Sequence, residues 1–173
     1  MNKFEKVSYE QFSKDYESVR GTDINFTWGM TKSIYEGIKL PQRATKLSAG
    51  YDIYSPVSFV LKAGDSIKIP TGIKVILDDD KYLAIYPRSG LGFKYRTQLF
   101  NTCAVVDADY VSSDNEGHIW IKMFNGSPEG KTLQINAGDA FCQGIIQSYY
   151  LVDGDSREQG ADRNGGFGST DRN

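Results

Sequence analysis

Short apolar runs, separated about every ten residues by Gly, Pro, Asn or Asp, dominate the chain from Ile34 onward. They are rich in Ile, Val, Phe and Tyr, which favour strands. The runs are SFVLKAG, DSIKIPTGIKVIL, KYLAIYP, HIWIKMFN, KTLQINAGD and AFCQGIIQSYYLV. Some alternate and others are continuously apolar, as expected where two layers cover each other. With no long helical periodicity after residue 20, the pattern predicts an all-β domain, a jelly-roll-like barrel or sandwich.

The N-terminal stretch has a different pattern. Ser8 and Gln11 stand at capping-box spacing, and Phe12, Tyr16 and Val19 then recur at helical intervals. This predicts a short amphipathic helix. We expect the helix to pack on the main domain; a partner-binding helix is the alternative.

The length of 173 residues suits one domain of ordinary size. We predict an N-terminal extension over residues 1–35 and a β domain over residues 36–155. Residues 156–173 are polar and glycine-rich, which is typical of a flexible arm.

The charge is nearly balanced, with a net value of −2. This gives no support for stable nucleic-acid binding by bulk charge, although a localised basic site remains compatible with it. Cys103 and Cys142 lie inside apolar runs and are interpreted as buried free thiols, with a disulfide or metal pair as the alternative. No N-terminal apolar stretch resembles a signal peptide or membrane span, so we expect a cytoplasmic protein without membrane binding.

Two stretches carry candidate chemistry in turns after strand-like runs. Pro87–Gly92 offers the planar fork of Arg88, the hydroxyl of Ser89 and the backbone amides around Gly90, a set that suits phosphate oxygens. Asp107 ends the run NTCAVVD, where a carboxylate can orient and deprotonate water. Each stretch alone fits an ordinary polar turn better, because such turns are common.

Two further stretches are ambiguous by themselves. Gln143 is a polar residue in an otherwise apolar strand; it is either exposed or buried with a partner. In the tail, Phe167 lies among glycines and hydroxyls, in NGGFGST. That composition fits an arm that stacks on a flat ring and binds an anion, or equally a solvated tail.

Five blocks, in this order, resemble the trimeric dUTPase family. They are SAGYDIYS (48–55), PRSGLG (87–92), VVDADY (105–110), GDAFCQGII (138–146) and RNGGFGST (163–170). Each block alone is moderately specific, whereas five with suitable spacing form a strong match. The resemblance therefore reverses the interpretation of the single stretches.

The resemblance implies a β jelly roll that forms a homotrimer, with active sites shared at the subunit interfaces. The implied reaction is Mg²⁺-dependent hydrolysis of dUTP to dUMP and pyrophosphate by water attack on the α-phosphorus. This activity lowers dUTP and supplies dUMP for dTMP synthesis. Magnesium would be bound by the triphosphate.

The resemblance also assigns roles by position. Asp107 would activate the water, Tyr110 would pack under the deoxyribose and exclude UTP, and Asp52 would order the Mg²⁺ water shell or a nearby arginine. The uracil edge would be read in a strand-like hairpin by Asn101, Ala104 and Val105. The phosphate chain would contact Arg88, Ser89, Gly90 and Gln143. The arm would cover base and phosphates with Arg163, Phe167, Gly168, Ser169 and Thr170.

The sequence departs from the family pattern beside the site. An insertion over residues 111–116 follows Tyr110 and is expected to lengthen a hairpin there; variation in this region is typical of phage-type members. Ala104 replaces a common glycine, the arm is one residue shorter between Arg163 and GGFGST, and Asp171 replaces its closing glycine. His118, the sole histidine, is interpreted as a surface or packed side chain that the reaction does not need.

Three rival functions remain open. A dCTP deaminase shares the fold, but it uses a glutamate in the base site, and none stands between Asn101 and Tyr110. A nucleotide-gated module that switches a regulatory protein partner could use the insertion and the N-terminal helix. A jelly roll without enzyme activity would leave the five blocks unexplained.

Overall fold

The computed structural model describes residues 1–20, 29–156 and 163. Its strands are β1 (Lys3–Lys6), β2 (Gln42–Arg43), β3 (Tyr51–Tyr54), β4 (Phe59–Leu61), β5 (Ser66–Pro70), β6 (Ile73–Ile76), β7 (Lys81–Pro87), β8 (Thr97–Leu99), β9 (Ala104–Asp107), β10 (Trp120–Asn125), β11 (Leu133–Ile135) and β12 (Ala140–Ser148). Its helices are α1 (Tyr9–Val19), α2 (Thr31–Gly37), α3 (Ser89–Tyr95) and a 3₁₀ helix (Ala108–Ser112).

The strands form antiparallel sheets. The largest has the order β2-β3-β12-β7-β9, and a second has the order β5-β10-β8. Two further pairs join β1 to β6 and β4 to β11. The mostly β, jelly-roll-like sandwich predicted from the sequence is confirmed, without a closed barrel among the described strands.

The core follows the two burial patterns read from the sequence. On β5, Ile67 and Ile69 are buried on either side of exposed Lys68, and β10 buries Ile121 and Met123 in the same alternating way. Fully burying one such side chain stabilises the fold by about 1.5–3 kcal/mol. In contrast, β7 is buried continuously over residues 83–85, where it lies between β12 and β9 within the largest sheet.

Helix α1 packs on the sandwich as expected. Phe12 and Tyr16 are fully buried, and the Ser8 side chain accepts a hydrogen bond from the Gln11 backbone N–H at 3.1 Å. The other half of the capping box is missing, since the Gln11 side chain donates to Asp15 at 2.7 Å. Strand β1 was not foreseen; its pairing with β6 attaches the N-terminal extension to the sandwich.

Helices α2 and α3 were also missed by the sequence analysis. Each has seven residues and no buried side chain. Neither therefore shows the periodic apolar positions by which a helix is recognised in a sequence. Helix α3 begins at Ser89, inside the stretch Pro87–Gly92 that was interpreted as a turn in the sequence.

Both cysteines are free thiols, as predicted, but only one is buried. Burial, reinforced by the Asp52 charge, raises the pKa of Cys142 well above its ordinary value. Cys103 is half-buried at the end of a loop, so the expectation of burial was wrong for it. Among the described helices, none combines the length and apolarity needed to cross a bilayer.

Candidate active site

One group of predicted site residues meets where β3, β12 and β7 run side by side. Asp52 on β3 lies opposite Gln143 on β12, and Cys142 lies opposite Pro87 at the end of β7. Arg88 follows directly and places its Nε 3.1 Å from Asp52 Oδ1. Antiparallel pairing thus brings three of the sequence blocks together, and we call Asp52, Arg88 and Gln143 the arginine cluster.

The arginine cluster is held by hydrogen bonds within the chain. The Arg88 guanidinium donates to the Ala140 carbonyl at 3.2 Å, and the Gln143 amide donates to the Pro87 carbonyl at 3.3 Å. A Cβ on Gly50 would lie only 2.4 Å from Gln143 Oε1, so the glycine permits this close approach. The Asp52 side chain is only 16% exposed, whereas Arg88 remains 41% exposed and can reach a ligand.

Helix α3 begins beside this cluster. Arg88 is its N-cap residue, and Ser89 and Gly90 are exposed in its first turn. The first backbone N–H groups of a helix have no partners inside it, so they are available to an acceptor. The groups that the sequence analysis assigned to anion binding therefore lie on a short helix rather than in a turn.

Acidic residues occupy the other end of β7. Asp107 ends β9 opposite Tyr82, and Asp109 follows in the 3₁₀ helix. Their side chains are 53% and 59% exposed and border an open cleft of about 1000 Å³. We call Asp107 and Asp109 the acidic pair.

Arg163 bridges the acidic pair. Its Nη1 lies 3.0 Å from Asp107 Oδ2 and 2.7 Å from Asp109 Oδ1, and its guanidinium lies 5.4 Å from the centre of the Tyr110 ring. Burial opposes its charge, but hydrogen bonds to both carboxylates outweigh this and raise the pKa of Arg163. The predicted arm residues Phe167, Gly168, Ser169 and Thr170 lie outside the described residues.

Tyr110 follows the acidic pair in the 3₁₀ helix and is 9% exposed. Its hydroxyl donates to the His118 carbonyl at 3.0 Å and accepts from the Asn115 amide at 2.9 Å. Burial raises the pKa of Tyr110, although the Asn115 hydrogen bond and Arg163 oppose the rise. The sequence analysis missed these two hydroxyl partners.

The segment expected to read uracil is not a regular hairpin. Strand β8 pairs with β10 and β9 pairs with β7, and an isolated bridge of Leu99 to Thr102 closes the turn between β8 and β9. Thr102 has a left-handed φ of 65° in this turn. Asn101 and Val105 are exposed, and Ala104 is half-buried beside them.

The insertion does not lengthen a hairpin as expected. It continues the 3₁₀ helix and then turns back through Glu116 and Gly117, with φ values of 57° and 70°. A Cβ on Gly117 would lie 2.6 Å from Val111 Cα, so the turn closes tightly on the 3₁₀ helix. The insertion therefore packs behind Tyr110.

The arginine cluster and the acidic pair are far apart in one chain. Arg88 stands six residues after Tyr82, the residue opposite Asp107. At about 3.3 Å per residue, roughly 20 Å separates their backbones. The chain brings Asp52, Arg88 and Gln143 together, but it does not bring Asp107 to them.

Comparison with known proteins shows to which family the chain belongs. The dUTPase family model matches residues 36–171. A deoxyuridine 5'-triphosphate nucleotidohydrolase of Lactococcus lactis subsp. lactis is 35% identical, and the alignment covers 88% of this chain and 97% of that protein. The dUTPase of Streptococcus mutans superposes with a TM-score of 0.63 at 29% identity, over 87% of this chain and 98% of that one.

A more distant structural relative is the dUTPase of Staphylococcus bacteriophage 80alpha, crystallised with dUPNHPP. It superposes with a TM-score of 0.61 over 99% of both chains, and its 18% identity supports the fold alone. The match of the family model over most of the sequence and the 35% identity to the Lactococcus lactis protein show that the chain belongs to the dUTPase family of enzymes.

Proposed function

We propose that this enzyme cleaves dUTP by attack of water on the α-phosphorus, with Asp107 as the group that activates the water. Family membership supports the overall reaction, hydrolysis of dUTP to dUMP. The water oxygen bonds to the α-phosphorus while the bond to the bridging α–β oxygen breaks. Pyrophosphate leaves, and Asp107 accepts the proton of the water.

The observation that carries the proposal is the position of Asp107. It is an exposed carboxylate at a strand end, on an open cleft, and its side chain accepts a hydrogen bond from the Arg163 guanidinium. A base that touches substrate water needs this accessibility. Phosphoryl transfer otherwise depends mainly on positioning the substrate and neutralising the charge of its phosphates, which the arginines would do.

The separation of about 20 Å between Asp107 and Arg88 supports a site built from more than one chain. We propose a homotrimer in which the acidic pair of one protomer faces the arginine cluster of the next. Arg88, Ser89, Gly90 and Gln143 would then bind the phosphate chain of a nucleotide lying against the first protomer's Asp107. A closed ring of three identical contacts generates three such sites.

The nucleoside would be selected beside Asp107. Tyr110 would pack under the deoxyribose and leave no space for a 2′-hydroxyl. Asn101, Ala104 and Val105 would read the uracil edge, where a 5-methyl group would clash. The exposure of Asn101 and Val105 supports this role, because a ligand can reach both.

Magnesium would be held mainly by the substrate. The described residues contain no cluster of three or more His, Cys, Asp or Glu side chains that could hold a metal ion. Asp52 fits an indirect role, since its carboxylate already pairs with Arg88 and could order a water of the ion's shell. When bound, Mg²⁺ neutralises charge on the triphosphate.

The C-terminal arm would complete the site. Arg163 Nε is buried and has no hydrogen-bond partner among the described residues, so it retains a donor for a phosphate oxygen. We propose that Arg163 moves from the acidic pair to the phosphates when dUTP binds. Phe167 would stack on the base, and Gly168, Ser169 and Thr170 would bind phosphate oxygens.

The test measures pyrophosphate release from dUTP, UTP, dTTP and dCTP with Mg²⁺. The full-length chain should cleave dUTP selectively, and a chain ending before Arg163 should lose most of that activity. Equal cleavage of all four nucleotides, or an unchanged rate after truncation, would contradict the assigned site.

A further inference from the structure

We infer that helix α1 of the N-terminal extension positions Tyr110 and thereby sets the discrimination between deoxyribose and ribose. The link is the segment Asn115–His118, which we call the bracket. The inference rests on the proposed packing of Tyr110 under the deoxyribose. The residues that carry it, Asp15, Glu116 and His118, are positioning residues that touch no substrate.

The first attachment of the bracket joins His118 to Asp15 of helix α1. The His118 side chain is fully buried, and its Nδ1 lies 2.5 Å from Asp15 Oδ2. The Gly72 backbone N–H donates to His118 Nε2 at 2.8 Å, so Nε2 is an acceptor and carries no proton. Nδ1 therefore carries the proton of the neutral ring and donates it to Asp15.

The second attachment joins Glu116 to the start of helix α1. One Glu116 carboxylate oxygen accepts from the Ser8 N–H at 2.9 Å, and the other accepts from the Ser8 hydroxyl at 2.5 Å. Lys74 Nζ lies 3.6 Å from Glu116 Oε2, the oxygen that accepts from the Ser8 N–H. These partners hold Glu116 in a left-handed conformation that a non-glycine residue seldom adopts.

Tyr110 is held by the bracket through its hydroxyl. It donates to the His118 carbonyl, and the Asn115 amide donates to it. The side-chain oxygen Oδ1 of Asn115 accepts from the Gly117 backbone N–H at 3.1 Å, which fixes the side-chain amide within the bracket. Both hydroxyl partners thus belong to a segment that is itself fastened to helix α1 at two points.

This arrangement matters because dUTP and UTP differ by one hydroxyl. A steric surface rejects the larger sugar only if the surface cannot retreat, so discrimination depends on what holds the ring from behind. The bracket lies behind Tyr110, and helix α1 lies behind the bracket. Loosening the bracket should relax selectivity more than it lowers turnover of dUTP.

The experiment compares kcat/KM for dUTP and UTP in full-length variants. Asp15→Ala removes the acceptor of His118 and should lower the dUTP/UTP selectivity by about tenfold, roughly the effect of one coupled contact. Asp15→Asn keeps an oxygen that can accept from Nδ1 and should restore selectivity to within about threefold of the parent. Glu10→Ala, which removes an exposed acid from the same helix, is the matched control and should leave selectivity unchanged.

Tyr110→Phe keeps the test decisive if Asp15→Ala fails to fold. It severs the ring from the bracket without touching helix α1, and it should lower selectivity by a similar factor. Parental selectivity in folded Asp15→Ala, or in Tyr110→Phe, would overturn the inference while leaving the proposed function intact. A parent enzyme that cleaves UTP as well as dUTP would instead refute the proposed role of Tyr110 itself.

Discussion

The two ends of strand β7 are built differently. At one end, the arginine cluster is satisfied within the chain, with Asp52 paired to Arg88 and Gln143 bonded to the Pro87 carbonyl. At the other end, the acidic pair is more than half exposed, and within the described part of the chain its ion pairs are with Arg163, from the C-terminal region. The arginine-cluster end, proposed to bind phosphate, is thus preorganised by sheet pairing, whereas the acidic end, proposed to activate water, is open.

The largest effect should come from the open end. Asp107→Asn keeps the shape but removes the base, so kcat for dUTP should fall by about 10²–10⁴-fold. Asp109→Asn removes the other partner of Arg163 and should lower kcat far less than Asp107→Asn does. Steady-state pyrophosphate release measures both variants. Similar losses would mean that the pair acts only as a joint counter-charge.

Arg88→Ala tests the preorganised end. Charge-assisted hydrogen bonds contribute about 1.5–3 kcal/mol, so kcat/KM should fall by about 10–100-fold. Arg96→Ala, at an exposed arginine just after helix α3, is the control and should stay near the parent. An equal loss of kcat/KM in both variants would mean that overall positive charge matters, rather than the specific hydrogen bonds of the Arg88 guanidinium.

Mixing the two defects tests whether the ends meet between chains. Chains with Asp107→Asn and chains with Arg88→Ala, co-expressed in equal amounts, should regain activity in mixed trimers. Random assembly gives both intact residues in about a quarter of the sites. A chain carrying both changes should stay inactive. Mixed trimers no better than their parents would show that both residues must come from one chain.

The smallest expected effect is on the pH dependence of folding stability, through the contact between Asp15 and His118 behind Tyr110. Burial opposes the ionised form of Asp15, but hydrogen bonds from His118 and Gln11 outweigh it and lower its pKa below the ordinary 3.8. Stability from this contact is therefore complete above that value and is lost as pH falls through the folded pKa.

Asp15→Asn should accordingly flatten the fall in unfolding free energy as the pH drops from 5 to 3. Urea denaturation at each pH measures it. Glu10→Gln on the same helix should follow the parent curve. If the unfolding free energies of Asp15→Asn and the parent fell in parallel with pH, the Asp15–His118 contact would not contribute to the acid sensitivity of the fold.

Local patterns explain what the sequence could predict. The alternation in β5 and β10 and the continuous apolar run of β7 identify strands, because positions that are buried in the fold carry apolar residues. The ion pair of Asp52 with an arginine was also anticipated, since the family resemblance assigned one of its roles to that pairing. Ser8 as a helix cap follows from a spacing of three residues.

The missed features depend on contacts between distant residues. Asp15 and His118 are 103 positions apart, and nothing in either neighbourhood signals the other. Strand β1 has only four residues, with charges at Lys3, Glu5 and Lys6, so its pairing with β6 is decided by the partner. The domain boundaries at residues 35 and 155 stay predictions, as do the roles of the site residues.

The pairing of β1 with β6 has a practical consequence for anyone who shortens this chain. A protein trimmed to the region shared with the family, from residue 36, would lose β1 and leave unpaired backbone groups along β6. Beside them lie Ile73 and Val75, which are buried in the intact protein. An open strand edge of this kind favours edge-to-edge association, so the trimmed protein should aggregate more readily than the chain of 173 residues.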